Sequence, residues 1–306
     1  MTSFEYAVCA TRGDRSYQED AAVFWPGPAT FKLERDLPEP PQDITMAILA
    51  DGMGGHAGGA IASQSVCETF LAGISGLIDL SPYKKTGAER TVPLGVDESP
   101  GEAAEADAAS STPPVSDLLA ALYAANAEIA EQTAANPALN GMGTTFVGVT
   151  LKHANTKAGS SASLEWVSVG DSPLYLYRGG EIALLNEDHS LAPALDLLAA
   201  EGTISADAAR NDPRRHMLRS AVTGEEFDMI DLSRKPLVLE ADDVIVLASD
   251  GIHTLSETEI ARIVSAYGPD GCQGIANALV RSIENHRMPH QDNATIMVIR
   301  QTAAAA

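Results

Sequence analysis

Six carboxylates stand where an apolar run meets a turn. Glu19 and Asp20 sit in "YQED", just ahead of "AAVF". Asp51 ends "ITMAILAD", Asp171 ends "EWVSVGD" and Asp250 ends "DVIVLASD"; Asp292 lies in "HQDN", ahead of "ATIMVIR". A carboxylate beside a buried strand is costly unless a partner or a cation compensates its charge. Any one of these, taken alone, is most simply a turn former or a helix cap. Their recurrence at five junctions is harder to dismiss, because the chain carries 42 Asp and Glu against 20 Lys and Arg. Convergent carboxylates short of basic partners suit hard divalent cations, Mg²⁺ or Mn²⁺, which take oxygen ligands and keep several waters.

Asp51 also opens a glycine-rich run, "LADGMGGHAGGAIAS". A loop of this kind between strand and helix suggests a phosphate cradle, but a P-loop needs GxxxxGK followed by Ser or Thr. No Lys or Arg occurs between residues 36 and 83. The run therefore cannot supply charge to hold a triphosphate. It can let the backbone approach a metal, so that Asp51 and the Gly52 carbonyl coordinate together.

The elements that must position these groups follow from patterning. Short strands are expected at residues 5–10 and 21–25, then a Pro-rich loop, then a buried strand ending at Asp51. Helical spacing follows in "AIASQSVCETFLAGISGLI" and resumes in "SDLLAALYAANAEIAEQTA", with Ser116 as the expected N-cap. Between them, residues 81–115 are rich in Pro, Ala, Ser, Glu and Asp without periodicity, and read as a flexible acidic insertion. β-Branched and aromatic runs then give four strands, with a hairpin at "YRGGEI". A short helix at "APALDLLAAEG", a strand at "DDVIVLASD", two helices and a last strand complete the chain. Ser256 and Glu259 form an expected capping box. This order lacks regular βαβ alternation and predicts an α+β fold, antiparallel sheets with helix pairs outside.

A chain of 306 residues admits one large domain or two small ones. The formal net charge of −22 argues against nucleic-acid and anionic-membrane binding. Cys9, Cys67 and Cys272 are scattered and read as reduced structural thiols. With no signal-like N-terminus and no membrane-length apolar run, a soluble cytoplasmic protein is expected.

The ordered set "RSYQEDAAVF", "LADGMGGHAGGAIAS", "GMGTTFVGVTL", "VGDSPLYLYRGGEIALLNEDHSL", "DPRRHMLRSAVTG", "VLASDGIHTL" and "QDNATIMVI" spans about residues 5–300. In this the chain resembles the metal-dependent protein serine/threonine phosphatases (PPM, type 2C) in their bacterial form. The resemblance implies a four-layer α/β/β/α sandwich, two antiparallel β-sheets flanked by helix pairs, with a metal cluster at one end. It implies a single phosphatase domain over residues 1–306, with a flap segment at about 188–224. Asp51 would bridge two Mn²⁺ or Mg²⁺ ions. Asp250 and Asp292 would complete the first site. The Gly52 carbonyl, Glu19 and Asp20 would serve the second, and Asp171 a third, weaker ion. Arg15 would bind the substrate phosphate. The activity implied is hydrolysis of phosphoserine and phosphothreonine on proteins, by direct attack of a water or hydroxide bridging two ions. Partners would be phosphorylated proteins and a serine/threonine kinase sharing those substrates, with a monomer as the default.

Three departures stand out. Met53 takes the place where eukaryotic relatives carry a histidine proposed as general acid; His56, further on, is expected to cap or pack at the helix start. Pro173 replaces the usual Arg after Gly-Asp-Ser. The 81–115 insertion is long and acidic. In the flap, Arg214, Arg215 and Arg219 either meet a phosphopeptide or hold the flap together, while Asp188 and Ser190 read as turn and cap residues. The competing class is a non-catalytic binding module of the same fold, against which the full set of carboxylates argues.

Overall fold

The computed structural model describes residues 4–27, 30–31, 45–54, 57–84, 115–156 and 159–302. The chain runs β1 (Phe4–Thr11), β2 (Ala21–Trp25), β3 (Thr30–Phe31), β4 (Thr45–Ala50), β5 (Gly52–Met53), α1 (Ala57–Ile74) and α2 (Val115–Ala135). Next come β6 (Gly143–Thr144), β7 (Phe146–Thr156), β8 (Gly159–Val169), β9 (Leu174–Arg178) and β10 (Glu181–Leu184). The flap carries α3 (Ala192–Ala200) and α4 (Ala206–Arg210). The rest is β11 (Asp231–Leu232), β12 (Leu237–Leu239), β13 (Val244–Ala248), α5 (Glu257–Tyr267), α6 (Gly271–His286) and β14 (Ala294–Gln301).

Two large antiparallel sheets result, beside a two-stranded one of β5 and β6. One has the order β1-β14-β13-β9-β10; the other runs β11-β8-β7-β4-β2-β3, with β12 also paired to β8. Their strands alternate between two buried faces, which is why the sequence reads as near-continuous apolar runs. In β4, Ala47 and Leu49 join Ile245, Leu247, Met297 and Ile299 in the core between the sheets. Met46, Ile48 and Ala50 instead pack beneath α1 and α2. On the opposite side Val244, Val246, Ile296 and Val298 pack beneath α5 and α6. These three apolar layers make the α/β/β/α sandwich. The Ser256–Glu259 capping box opens α5 as expected.

Some details differ from the sequence reading. Helix α2 begins at Val115, so Ser116 is a first-turn residue and not its N-cap. Helix α1 starts at Ala57 and takes in Gly58 and Gly59. At the start of the insertion Ser81–Tyr83 forms a 3₁₀ turn and Lys84 pairs with Asp117 of α2 at 2.7 Å. Residues 85–114 of the insertion, most of the Pro-rich loop and His56 lie outside the described residues. All three cysteines are free thiols, Cys67 and Cys272 buried.

Register gathers the carboxylates. Ala21 pairs with Ala50, so Asp20 and Asp51 fall side by side one step beyond. Ala248 pairs with Ile296, which brings Asp250 beside the start of β14, where Asp292 lies. Phe146 pairs with Val169, so Gly170 and Asp171 leave β8 at this same end.

Candidate active site

At that end of the sandwich is a cavity of about 570 Å³, and Arg15, Glu19, Asp51, Gly52, Asp171, Asp250 and Asp292 all line it. Asp20 is 1% exposed and lies behind these groups. The site residues read from sequence therefore converge.

Each is held by backbone geometry and small polar partners. The Asp51 N–H donates to Thr145 Oγ1 at 3.0 Å, while the Asp51 carbonyl accepts from Thr145 N at 2.9 Å and Thr144 Oγ1 at 2.8 Å. The Asp250 N–H points at Asp51 Oδ2, 3.4 Å away. Ser249 Oγ donates to Asp20 Oδ2 at 2.9 Å and accepts from Thr295 N at 2.9 Å, stitching β13, β14 and the start of β2. Asn293 accepts from Glu19 N at 2.9 Å and donates to the carbonyls of Arg12 and Tyr17, each at 3.1 Å. One side chain thus fixes the loop that carries Arg15 and Glu19. Arg15 Nη2 donates to Asp292 Oδ2 at 2.5 Å.

The glycine run has a packing cause. A Cβ on Gly52 would lie 2.2 Å from the Gly59 carbonyl oxygen and 2.6 Å from that of Glu19. A Cβ on Gly59 would fall 2.3 Å from Glu19 Oε1. Only glycine lets β5, the start of α1 and the Glu19 loop approach this closely. That contact sets the α1 start despite the poor helix propensity of glycine.

The electrostatics are those of crowded acids. Burial, then the charges of Asp20, Asp250, Asp171 and Asp292, hold the Asp51 carboxyl well above the ordinary range. Burial pushes Asp20 up to about 6, with Asp250 adding to it. Burial and the charge of Asp292 push Asp250 up to about 6. Burial and the charges of Asp250 and Asp188 push Asp171 up to about 7. Such a group of acids is stabilised by a cation supplied from outside.

The residues fit a hard divalent ion: every donor is oxygen, and the buried Asp20 Oδ1 has no hydrogen-bond partner among the described residues. No three His, Cys, Asp or Glu side chains among the described residues stand close enough to enclose an ion by themselves.

Pro173 does not loosen the Asp171 turn. Asn186 accepts from Leu174 N at 2.8 Å and donates to the Ser172 carbonyl at 3.0 Å, and the Pro173 carbonyl accepts from Ala248 N at 3.1 Å. The buried His189 reinforces it, its ring Nδ1 accepting from Gly170 N at 3.1 Å and its backbone N–H donating to the Gly170 carbonyl at 3.1 Å. Asp188 Oδ1 accepts from Ser190 N, as a turn residue does; Ser190 Oγ accepts from Ala192 N, but the N-cap of α3 is Leu191, which makes no side-chain cap bond. Arg214 grips Asp212 and Arg215 grips Asp196, each through two nitrogens, whereas Arg219 lines the cavity.

Sequence reasoning missed Asn293, Ser249, Thr145 and His189. The available signal was a polar residue embedded in or flanking a buried apolar run, since such a group must find a partner.

No protein-family model matches the chain. The serine/threonine protein phosphatase PstP of Mycobacterium tuberculosis is 32% identical over 204 residues, which is 67% of this chain and 31% of that protein. The chain thus spans about a third of the length of the first curated relatives it matches. The serine/threonine phosphatase Stp of Listeria monocytogenes is 28% identical over 72% of each chain. The catalytic domain of PstP solved with two manganese ions superposes with a TM-score of 0.63 at 26% identity, covering 99% of this chain and all of that one. The shared sandwich, the carboxylates converging at one end of it and these relatives agree: the chain belongs to the bacterial PPM-type serine/threonine phosphatase family.

Proposed function

We propose that the protein hydrolyses phosphoserine and phosphothreonine on proteins with the help of divalent metal ions. The observation that carries this reading is the convergence of Asp20, Asp51, Asp171, Asp250 and Asp292 with Arg15 at one end of the sandwich. Asp51, Asp250 and Asp292 would hold one ion, and Asp51, the Gly52 carbonyl, Glu19 and Asp20 a second. Asp171 would hold a third, weaker one. When bound, Mn²⁺ or Mg²⁺ would lower the pKa of water and neutralise phosphoryl charge.

The chain's own residues do the rest. Arg15, released from Asp292, has the planar fork that clamps two phosphoryl oxygens. Asn293 keeps that guanidinium facing the carboxylates by fixing the loop on which it sits. In the reaction a water oxygen forms the new P–O bond, the ester P–O bond breaks, and the proton ends on the serine or threonine oxygen. The mouth of the cavity is open to a phosphorylated side chain on the flap side, where Met217 is 55% exposed.

The rest of the assignment belongs to this reading. The whole chain is one phosphatase domain, with 81–115 an insertion and 188–224 a flap. It works in the bacterial cytoplasm as a monomer in signal transduction, opposite a serine/threonine kinase. No described helix is long and apolar enough to cross a membrane. The test is phosphate release from a phosphothreonine peptide with Mn²⁺ by the wild type and by Asp250→Asn. A large loss in the variant is expected; equal rates refute the carboxylate mechanism.

A further inference from the structure

The cavity wall at the flap and just beyond it carries both signs of charge. His216, Met217 and Arg219 lie on it, as do the exposed Glu225, Glu226 and Asp228. The three arginines of this segment differ in what they do. Arg214 and Arg215 are each bound through two nitrogens to carboxylates of the flap itself, at 2.8–3.1 Å. Arg219 has no ion pair among the described residues, is exposed and lines the cavity.

Its backbone is pinned. The Arg219 N–H donates to the His189 carbonyl at 2.8 Å, the Leu191 N–H donates to the Met217 carbonyl at 3.0 Å, and Ser190 pairs with Leu218. On the other flank the buried Ser220 hydroxyl donates to the Met229 carbonyl at 2.7 Å. Arg219 is therefore held by a fixed backbone at the wall of the cavity that Arg15 also lines. Arg15 itself is engaged by Asp292. In a protein of net charge −22, a cation fixed at the mouth of an acidic cavity is where a second negative group on a substrate finds compensation.

We propose that Arg219 is a specificity-determining residue that reads an anionic side chain flanking the phosphorylated serine or threonine, an inference that rests on the phosphatase reading above. The acidic residues of the wall give the selection a direction. An anionic flanking group is favoured on the Arg219 side and repelled beside Glu225, Glu226 and Asp228. Arg214 and Arg215, held within the flap, take no part.

The test compares kcat/KM, with Mn²⁺, for phosphothreonine peptides flanked by glutamate, phosphoserine, alanine or lysine. Wild type is expected to favour the anionic flanks over lysine by about tenfold at low salt, with the margin shrinking as ionic strength rises. In Arg219→Glu the preference should invert towards lysine, an outcome that loss of folding cannot mimic. A gain with glutamate and phosphoserine alike assigns the subsite to any anion; a gain with phosphoserine alone assigns it to a second phosphate. Equal kcat/KM for all flanks, or a preference that survives Arg219→Glu, overturns the inference while leaving the phosphatase reading intact. No phosphate release from any peptide overturns the reading on which it rests.

Discussion

Without metal the carboxylate cluster strains the fold as the pH rises. Asp20 and Asp250 are pushed up to about 6 and Asp171 to about 7, from an ordinary value of 3.8. A raised folded-state pKa means the folded protein binds the proton more tightly than the unfolded chain does. The associated stability is fully present below about pH 4 and is lost as the pH climbs through 6 and 7. For Asp20 alone, a shift of roughly two units corresponds to about 3 kcal/mol, of which about half is lost between pH 5 and pH 7.5. For a chain of this size that half amounts to a fall in Tm of roughly 3 °C, at about 2 °C per kcal/mol. The assay is differential scanning calorimetry of EDTA-stripped protein between pH 5 and pH 7.5, repeated at pH 7.5 with Mn²⁺. Tm should fall across the range, Mn²⁺ should restore it, and Asp20→Asn should flatten the pH dependence. A metal-free Tm that holds level or rises from pH 5 to 7.5 would refute the claim that these acids are crowded and uncompensated.

Two further predictions concern the positioning of substrate. Arg15→Ala should raise KM for p-nitrophenyl phosphate about tenfold or more, because a charge-assisted clamp is worth roughly 1.5–3 kcal/mol; an unchanged KM in steady-state kinetics removes Arg15 from the phosphate site. Asn293→Ala strips hydrogen bonds from Glu19 N and from the Arg12 and Tyr17 carbonyls. It should lower both Tm and affinity for Mn²⁺, read by calorimetry, and a variant that keeps wild-type Mn²⁺ affinity shows that the loop holds itself.

The part of this site legible in the sequence is the part written in residue type at element boundaries. Asp51 and Asp250 each close an apolar run and precede glycine, so they could be found before any pairing was known. The apolar content of β4, β13 and β14 signalled strands buried on both faces. What brings Asp20 beside Asp51, and Asp250 beside Asp292, is strand register, a long-range property that local patterning does not encode. Asn293, Ser249 and His189 work through partners distant in sequence, so a polar residue beside an apolar run signals the need for a partner without saying which. Helix α1 begins earlier than its apolar spacing suggests, because contact with Glu19 overrides the propensity of Gly58 and Gly59. The strands β3, β5 and β11 have two residues each, too few to show any period.

The central claim is that this carboxylate cluster takes up divalent ions and that hydrolysis depends on them. Titrating EDTA-stripped protein with Mn²⁺, while following both bound ions and phosphate release from a phosphothreonine peptide, tests it most directly. The account predicts no release before metal, and a rate that rises as two ions bind per chain. Full release in the presence of EDTA, or two ions bound with no release, contradicts it.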